Sequence, residues 1–333
     1  MAHQMDIRDI FLAKKRIHRF IRKTPLEQSP FFSKLCEGDV FLKLENLQLT
    51  GSYKPRGAFN VMLQMNTCLR ENGKNGVVTA STGNHAQGVA YAAKLLGLSA
   101  TIVVPEITPK TKIDAIRRYD VDLIIHGNGF DESEVKAREI EKDCSYYYVS
   151  AYNNYNLIAG QGTIGLEMME ENSKLGVVLV PVAAGALISG IATFYKNLNP
   201  KVEVIGVQTK ASPVMYKSLK KGEVVQIPVE QIKPTVAESL LGGFEKGAVS
   251  FDLVKELIEE IILVEEKDIE RAITLFLEHH HQVAEGAGVV GLAALMANKD
   301  RFKGKKVGIV ISGGNIDISV LRNILNNNSD III

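Results

Sequence analysis

Two runs of alternating strand and helix signals place this chain of 333 residues in the α/β class, built on parallel sheets. A second observation agrees: short loops of small residues fall where strands hand over to helices, the place where a parallel sheet binds its ligands. The length exceeds one minimal core and suits two domains, or a large domain with a smaller one inserted.

Residues 6 to 22 carry an apolar stripe, Ile7, Ile10, Phe11, Ile17 and Ile21, with basic residues opposite, and Thr24-Pro25 ends the predicted helix. An extended segment leads to a strand at 40 to 44. After the loop from Thr50, a helix is predicted through Ala58, Val61, Met62 and Met65, with Ser52 as its cap and Pro55 in its first turn. Strands at 77 to 80 and 100 to 104 flank a small-residue helix from Ala86 to Gly97. Thr108-Pro109 predicts the cap and first turn of a helix ending near Tyr119, and strands follow at 121 to 125 and 146 to 149. The alternation resumes with a helix at 156 to 171, a strand at 177 to 182, a helix at 187 to 198 and a strand at 202 to 207. Residues 209 to 245 are punctuated by proline and glycine and are expected to pack over a site. A strand at 261 to 264, helices at 266 to 279 and 287 to 296, a strand at 307 to 311 and a helix at 316 to 325 complete the pattern.

Hydrophobic residues at 46% and charged residues at 23% are those of a soluble globular protein. A net charge of +1 provides neither a basic field for nucleic acid nor an acidic face for cationic partners. Cys36, Cys68 and Cys144 show no metal-type spacing, which predicts reduced core thiols in a cytoplasmic protein. No apolar run resembles a signal peptide or approaches membrane-spanning length.

The stretch Thr50-Gly51-Ser52-Tyr53-Lys54-Pro55-Arg56-Gly57-Ala58-Phe59 holds a lysine at a fixed angle in a strand-to-helix loop, beside a tyrosine ring. A lysine amine so placed can form a Schiff base with an aldehyde. Three further loops sit at the ligand-binding ends of strands: Ser81-Thr82-Gly83-Asn84-His85, Ala183-Ala184-Gly185-Ala186-Leu187 and Ser312-Gly313-Gly314-Asn315. Small residues let backbone N–H groups approach a bound group, and a helix N-terminus adds partial positive charge. None of the loops has a dinucleotide fingerprint or a Walker lysine, which counts against NAD and ATP.

Taken together in this order, the four motifs resemble the fold-type II pyridoxal-phosphate enzymes, and most closely the threonine/serine dehydratase and serine racemase family. The resemblance covers roughly residues 6 to 325 and includes EGAGVVGLAAL at 285 to 295 and SGGNID at 312 to 317. It implies two open, mainly parallel twisted sheets with flanking helices, as in the tryptophan synthase β-subunit, and a cofactor between two domains. Residues 1–50 and 152–333 would form the large domain and 51–151 the small one. Lys54 would carry pyridoxal 5'-phosphate and then shuttle the Cα proton, with Tyr53 beside the ring. Asn84 would donate to the ring hydroxyl oxygen. Ala183, Ala184, Gly185, Ala186 and Leu187 would hold the phosphate through backbone N–H groups. Ser312 would meet the pyridine nitrogen with a neutral hydroxyl, which leaves the ring a weaker electron sink and suits β-elimination.

The chain departs from the family at several places. Its phosphate loop has alanine at 183, 184 and 186 where a run of glycines is usual. A residue at φ > 0 costs roughly 1–2 kcal/mol more for alanine than for glycine, so either these positions take φ < 0 or cofactor affinity is reduced. Thr235-Val236-Ala237-Glu238-Ser239 stands where Ala-Asp-Gly is common, and Ser239 with Leu240 is expected to crowd a pocket wall. This segment and Ser81-Thr82-Gly83 resemble the branch associated with hydroxyectoine breakdown. Gln208 and Val214 occupy the positions of acidic metal ligands, so no divalent metal is expected there. His279-His280-His281 is read as the end of a helix, where imidazoles suit the dipole. The C-terminal regulatory domain of biosynthetic threonine dehydratases has no counterpart in this reading.

The leading expectation is an ammonia-lyase acting on L-threonine or L-serine, in a homo-oligomer, dimer or tetramer, without nucleic-acid or membrane partners. The alternatives are a serine/threonine racemase on the same scaffold and a dehydratase of the hydroxyectoine-breakdown branch with a modified substrate. A ligand-binding paralogue is the third, and intact Lys54, Asn84 and Ser312 argue against it. Racemisation needs a proton carrier on each cofactor face, and Lys54 serves one. Family racemases place a serine where this chain has Thr82, and typical dehydratases an alanine. The β-branched Thr82 has restricted χ1, and its hydroxyl is expected to turn to the backbone.

Overall fold

The computed structural model describes residues 5–71 and 76–328. Its strands are β1 (Leu26–Gln28), β2 (Asp39–Leu44), β3 (Gly76–Ala80), β4 (Ser99–Val104), β5 (Asp122–Ile125), β6 (Tyr146–Tyr148), β7 (Val177–Pro181), β8 (Glu203–Thr209), β9 (Ile261–Val264) and β10 (Lys306–Ile311). They form a six-stranded sheet in the order β1-β2-β10-β7-β8-β9 and a four-stranded sheet in the order β5-β4-β3-β6. Every pairing is parallel except the edge pair β1–β2. The predicted α/β architecture of two open, mainly parallel sheets is therefore the one observed. Parallel sheets are covered on both faces, which is why β3, β7 and β10 read as near-continuous apolar runs.

The Tyr155–Glu171 helix organises the centre. A Cβ on Gly160 would lie 2.7 Å from the Gly57 Cα, and one on Gly190 would lie 2.6 Å from the Gly162 backbone nitrogen. The helix therefore meets the Lys54–Glu71 helix and the Ala186–Leu198 helix backbone to backbone. Two of the sequence motifs are held against one rod.

Several local expectations are corrected. The first helix runs Ile7–Ile17, not to 22, and Phe11 is exposed while Ala13 takes its place in the core. The helix predicted from Thr108-Pro109 begins at Lys110 with Pro109 at the capping position, because the Thr108 hydroxyl donates to the Pro105 carbonyl (2.6 Å). Cys36 is buried as expected, but Cys144 is exposed at the end of the Phe130–Asp143 helix, and the Cys68 side chain lies outside the described residues. That helix was not anticipated, since Ser133 and Ala137 are its only buried residues and charge dominates its sequence. β1 and the helices Pro30–Cys36, Val214–Lys221 and Val249–Leu257 are also additions to the expected pattern.

Candidate active site

β2, β10 and β7 are neighbours in the large sheet, so the loops that follow them lie side by side. The loop after β3 meets them from the smaller sheet. The four predicted motifs thus converge, and backbone bonds join two of them directly. The Tyr53 N–H donates to the Ser312 carbonyl (3.2 Å), the Gly314 N–H to the Gly51 carbonyl (2.8 Å), and Ser52 bridges Gly313.

Lys54 is the first residue of its helix, its ammonium 5.0 Å from the centre of the Tyr53 ring. Tyr53, not Ser52, therefore holds the capping position. The Ser52 hydroxyl is buried without a partner, contrary to its expected capping role.

Two residues on, Arg56 is fully buried. Its guanidinium donates to Glu45 (Nε to Oε2, 2.8 Å) and to Glu167 (Nη1 to Oε1, 2.7 Å), and Lys43 joins Glu167 at 2.7 Å. Burial alone would pull the guanidinium down, but Glu45 and Glu167 outweigh it and hold Arg56 well above its ordinary value. Removing one member of such a network strands a buried charge, at a cost of about 3–5 kcal/mol. The network clamps the first turn that carries Lys54.

Asn84 opens its helix beneath Gly83, which offers no side-chain cap. Its Nδ2 donates to Glu285 Oε1 (2.7 Å), and its Oδ1 accepts from Asn315 Nδ2 (2.7 Å). Beside it, His85 is pushed down to about 3 by burial and then by the charge of Lys54. The neutral imidazole donates from Nε2 to the Val149 carbonyl (2.9 Å), which leaves Nδ1 a buried acceptor without a partner. Thr82 is partly exposed, and among the described residues its hydroxyl makes no hydrogen bond. The expected turn toward the backbone is not what the structure shows.

The loop after β7 resolves the question raised by its alanines. Gly185 alone in it has a positive φ (+93°), and among the described residues the non-glycine positive-φ positions are Glu37, Asp120, Ser145 and His281. Ala183, Ala184 and Ala186 are therefore unstrained. A Cβ at 185 would lie 2.9 Å from Val254 Cγ2, so glycine is required there for space as well. Among the described residues, the N–H groups of residues 183 to 187 have no acceptor, and the Ala186–Leu198 helix has no side-chain cap. Free N–H groups at a helix N-terminus are suited to an anion.

Ser312 is buried, with only a long 3.5 Å bond from its hydroxyl to the Ala287 carbonyl. Its oxygen and proton are close to free for a ligand.

Glu285 was missed by sequence reasoning, although it heads a quoted motif. The available signal was a lone carboxylate before a helix of small and apolar residues. Burial pushes its carboxyl up to about 7, against the pull of Asn84 and Ser239. The Ser239 hydroxyl donates to Glu285 Oε2 (3.3 Å), so Ser239 faces the site, while Leu240 turns into the core rather than crowding a wall.

Gln208 accepts the Tyr216 N–H with its Oε1 (3.1 Å), and Val214 opens the next helix. The histidine run closes the Glu266–His280 helix: His279 stacks on Phe31, and His280 lies against Phe276 and bonds to Ser29.

Comparison with known proteins agrees with this geometry. Residues 17–313 match the pyridoxal-phosphate dependent enzyme family. An L-threonine ammonia-lyase of Thermotoga maritima is 44% identical over 322 residues, covering 97% of this chain and 78% of that protein. Among solved structures, maize serine racemase superposes with a TM-score of 0.89 at 29% identity, covering 98% and 99% of the two chains. The processed form of threonine deaminase isoform 2 from Solanum lycopersicum gives 0.87 at 32% identity, covering 96% of this chain and 94% of that one. With residues 17–313 matched and its lysine, asparagine and serine loops bonded to one another, this chain belongs to the pyridoxal-phosphate-dependent enzyme family.

Proposed function

We propose that the protein is an ammonia-lyase that converts a β-hydroxy amino acid, L-threonine and/or L-serine, to a 2-oxo acid and ammonium. One observation carries the reading: the loops bearing Lys54, Asn84 and Ser312 are bonded to one another, and the loop of 183 to 187, with its free N–H groups, follows the strand next to that of Ser312. The threonine ammonia-lyase and threonine deaminase named above support the substrate class.

The residues fit pyridoxal 5'-phosphate. The cradle at Ala183, Ala184, Gly185, Ala186 and Leu187 would take the phosphate, Ser312 the pyridine nitrogen, Tyr53 a ring face, and Asn84 Nδ2 the ring hydroxyl oxygen. When bound, the cofactor draws electron density from the substrate's Cα. Lys54 Nζ would take the Cα proton. The uncapped N-terminus of the Asn84–Leu96 helix suits the substrate carboxylate. Loss of that proton with the β-hydroxyl as water, then hydrolysis at nitrogen, leaves the 2-oxo acid and ammonium. Neutral His85 adds no competing positive charge to a site that already holds Lys54.

The same reading divides the chain into a large domain, 1–50 and 152–333, and a small domain, 51–151. The four-stranded sheet supports it by taking all its strands from 76 to 148. A homo-oligomer, dimer or tetramer, and a cytoplasmic setting complete it. Among the described residues no helix is long and apolar enough to cross a membrane.

Thr82 favours a second reading as a minor activity. Its hydroxyl, free of the backbone, is available as a proton carrier for racemisation. Incubation with L-serine and L-threonine, following 2-oxo acid and enantiomer composition together, separates the two. Elimination is expected to dominate, and Thr82→Ala is expected to retain most of it. D-Serine accumulating faster than pyruvate, and lost in Thr82→Ala, would make the enzyme a racemase.

A further inference from the structure

Asn315 lies in the loop after β10, in a motif from which only Ser312 received a role. Its amide touches two other motif loops. Nδ2 donates to the Thr50 carbonyl (2.8 Å) and to Asn84 Oδ1 (2.7 Å), so both of its hydrogens are used. Its Oδ1 packs on Gly51, where a Cβ would stand 2.6 Å away.

The chemistry at Thr50 decides every orientation beyond it. A backbone carbonyl can only accept, so the NH₂ side of Asn315 must face Thr50 and, with it, Asn84. The atom of Asn84 that meets this donor must then be its oxygen. The NH₂ of Asn84 is left to face Glu285 Oε1 at 2.7 Å, with its second hydrogen engaged only by Ser239 Oγ at 3.5 Å. Without Asn315 nothing distinguishes the two ends of the Asn84 amide strongly. A protonated Glu285 can donate to a carbonyl as readily as an ionised one accepts from NH₂, and burial holds this carboxyl near about 7, where both forms are populated.

We propose that Asn315 is a positioning residue that fixes the Asn84 amide with its NH₂, and not its oxygen, toward Glu285 and the cofactor's ring hydroxyl oxygen. The inference rests on the cofactor reading above, in which that oxygen accepts from Asn84. Asn315 does not itself touch the cofactor. It transmits the polarity of the Thr50 carbonyl across the cleft, from the lysine loop to the asparagine loop. Because Asn84 belongs to the helix after β3 while Thr50 and Asn315 follow β2 and β10, the same bond also registers the two sheets at the site.

The test is a double-mutant cycle on the purified holoenzyme, read by the visible absorption spectrum of bound pyridoxal phosphate and by its dissociation constant. Asn315→Asp keeps the shape but presents only acceptors to Thr50 and Asn84. It is expected to redistribute the cofactor's absorption between its long- and short-wavelength bands and to weaken cofactor binding about five- to tenfold, the effect of one lost hydrogen bond. Asn84→Ala is expected to give a similar change. In the Asn84→Ala background, Asn315→Asp is expected to add nothing to either readout. Asn315→Ala serves as the second variant if the carboxylate prevents folding, with the same expected pattern.

Undiminished effects of the Asn315 variants in the Asn84→Ala background would overturn the proposal, since they would act by a route other than Asn84. Wild-type spectrum and affinity in Asn315→Asp or Asn315→Ala, with Asn84→Ala altered, would overturn it too, while leaving the cofactor role of Asn84 standing. An unaltered Asn84→Ala holoenzyme would instead remove the underlying reading of Asn84, and the proposal with it.

Discussion

Glu285 is a buried carboxyl with weak compensation, unlike Glu45 and Glu167, which Arg56 pairs. Among the described residues no cation bonds to it, and its partners are the neutral donors Asn84 and Ser239. Burial raises it from 4.5 to about 7. Below about pH 4.5 the folded and unfolded chains both carry its proton. Between 4.5 and about 7 the folded chain keeps a proton that the unfolded chain has released, so stability falls as pH rises through this window and levels off above it. In cofactor-free protein, Glu285→Gln should therefore gain on the wild type by about 3 kcal/mol between pH 4.5 and pH 7, measured by chemical denaturation. A constant difference across that range would show the carboxyl to be solvated. This residue could not be identified from the chain alone. Its first partner is 201 positions away, and before the fold is known it reads as an acidic residue at a helix start. The same holds for Asn315, 231 positions from Asn84, and for Arg56, 111 from Glu167. Lys54 and Ser312 could be singled out because their loops, weak signals one by one, together resemble family motifs in order along the chain.

Among the elements, the loop after β7 and its helix show how backbone conformation replaces composition. A run of glycines is not needed to expose N–H groups. One glycine at the left-handed position suffices when the flanking residues have negative φ, as Ala183, Ala184 and Ala186 do. Gly185→Ala must then meet both the +93° torsion and the close approach of Val254 (2.9 Å) and Met215 (3.0 Å). It is expected to weaken cofactor binding at least tenfold, from roughly 1–2 kcal/mol of torsional strain plus the clash. Ala183→Gly and Ala184→Gly should not tighten binding, because there is no strain to relieve. Titrating cofactor into each variant by fluorescence checks both, and tighter binding in either alanine variant would contradict the observed torsions. The strand leading into this loop was legible as an apolar run. The Phe130–Asp143 helix was not, because a surface helix burying two small residues leaves almost no periodic signal.

At the scale of the whole molecule, the fold is a device for bringing one loop from a small sheet against three from a large one. Exposed pairs such as Lys112–Glu238 (2.5 Å) and Thr111–Asp317 (3.1 Å) cross the rim of the cleft, and each contributes at most about 1 kcal/mol. The buried bond from Asn84 to Glu285 and the backbone stitches between Ser52, Tyr53 and the Ser312–Gly314 loop do more to set the geometry. All of them fix the loop that carries Lys54, on a helix turn clamped by Arg56 and closely backed by Gly88, where a Cβ would sit 3.0 Å from that of Lys54. Which lysine binds the cofactor is therefore the deciding question. Borohydride reduction of the purified, cofactor-loaded protein, followed by mass analysis of its peptides, answers it directly. The expected result is the reduced cofactor's mass on the peptide containing Lys54, absent from Lys54→Ala. Attachment to any other lysine, or none in a yellow protein, would contradict the role given to Lys54 and with it the proposed chemistry.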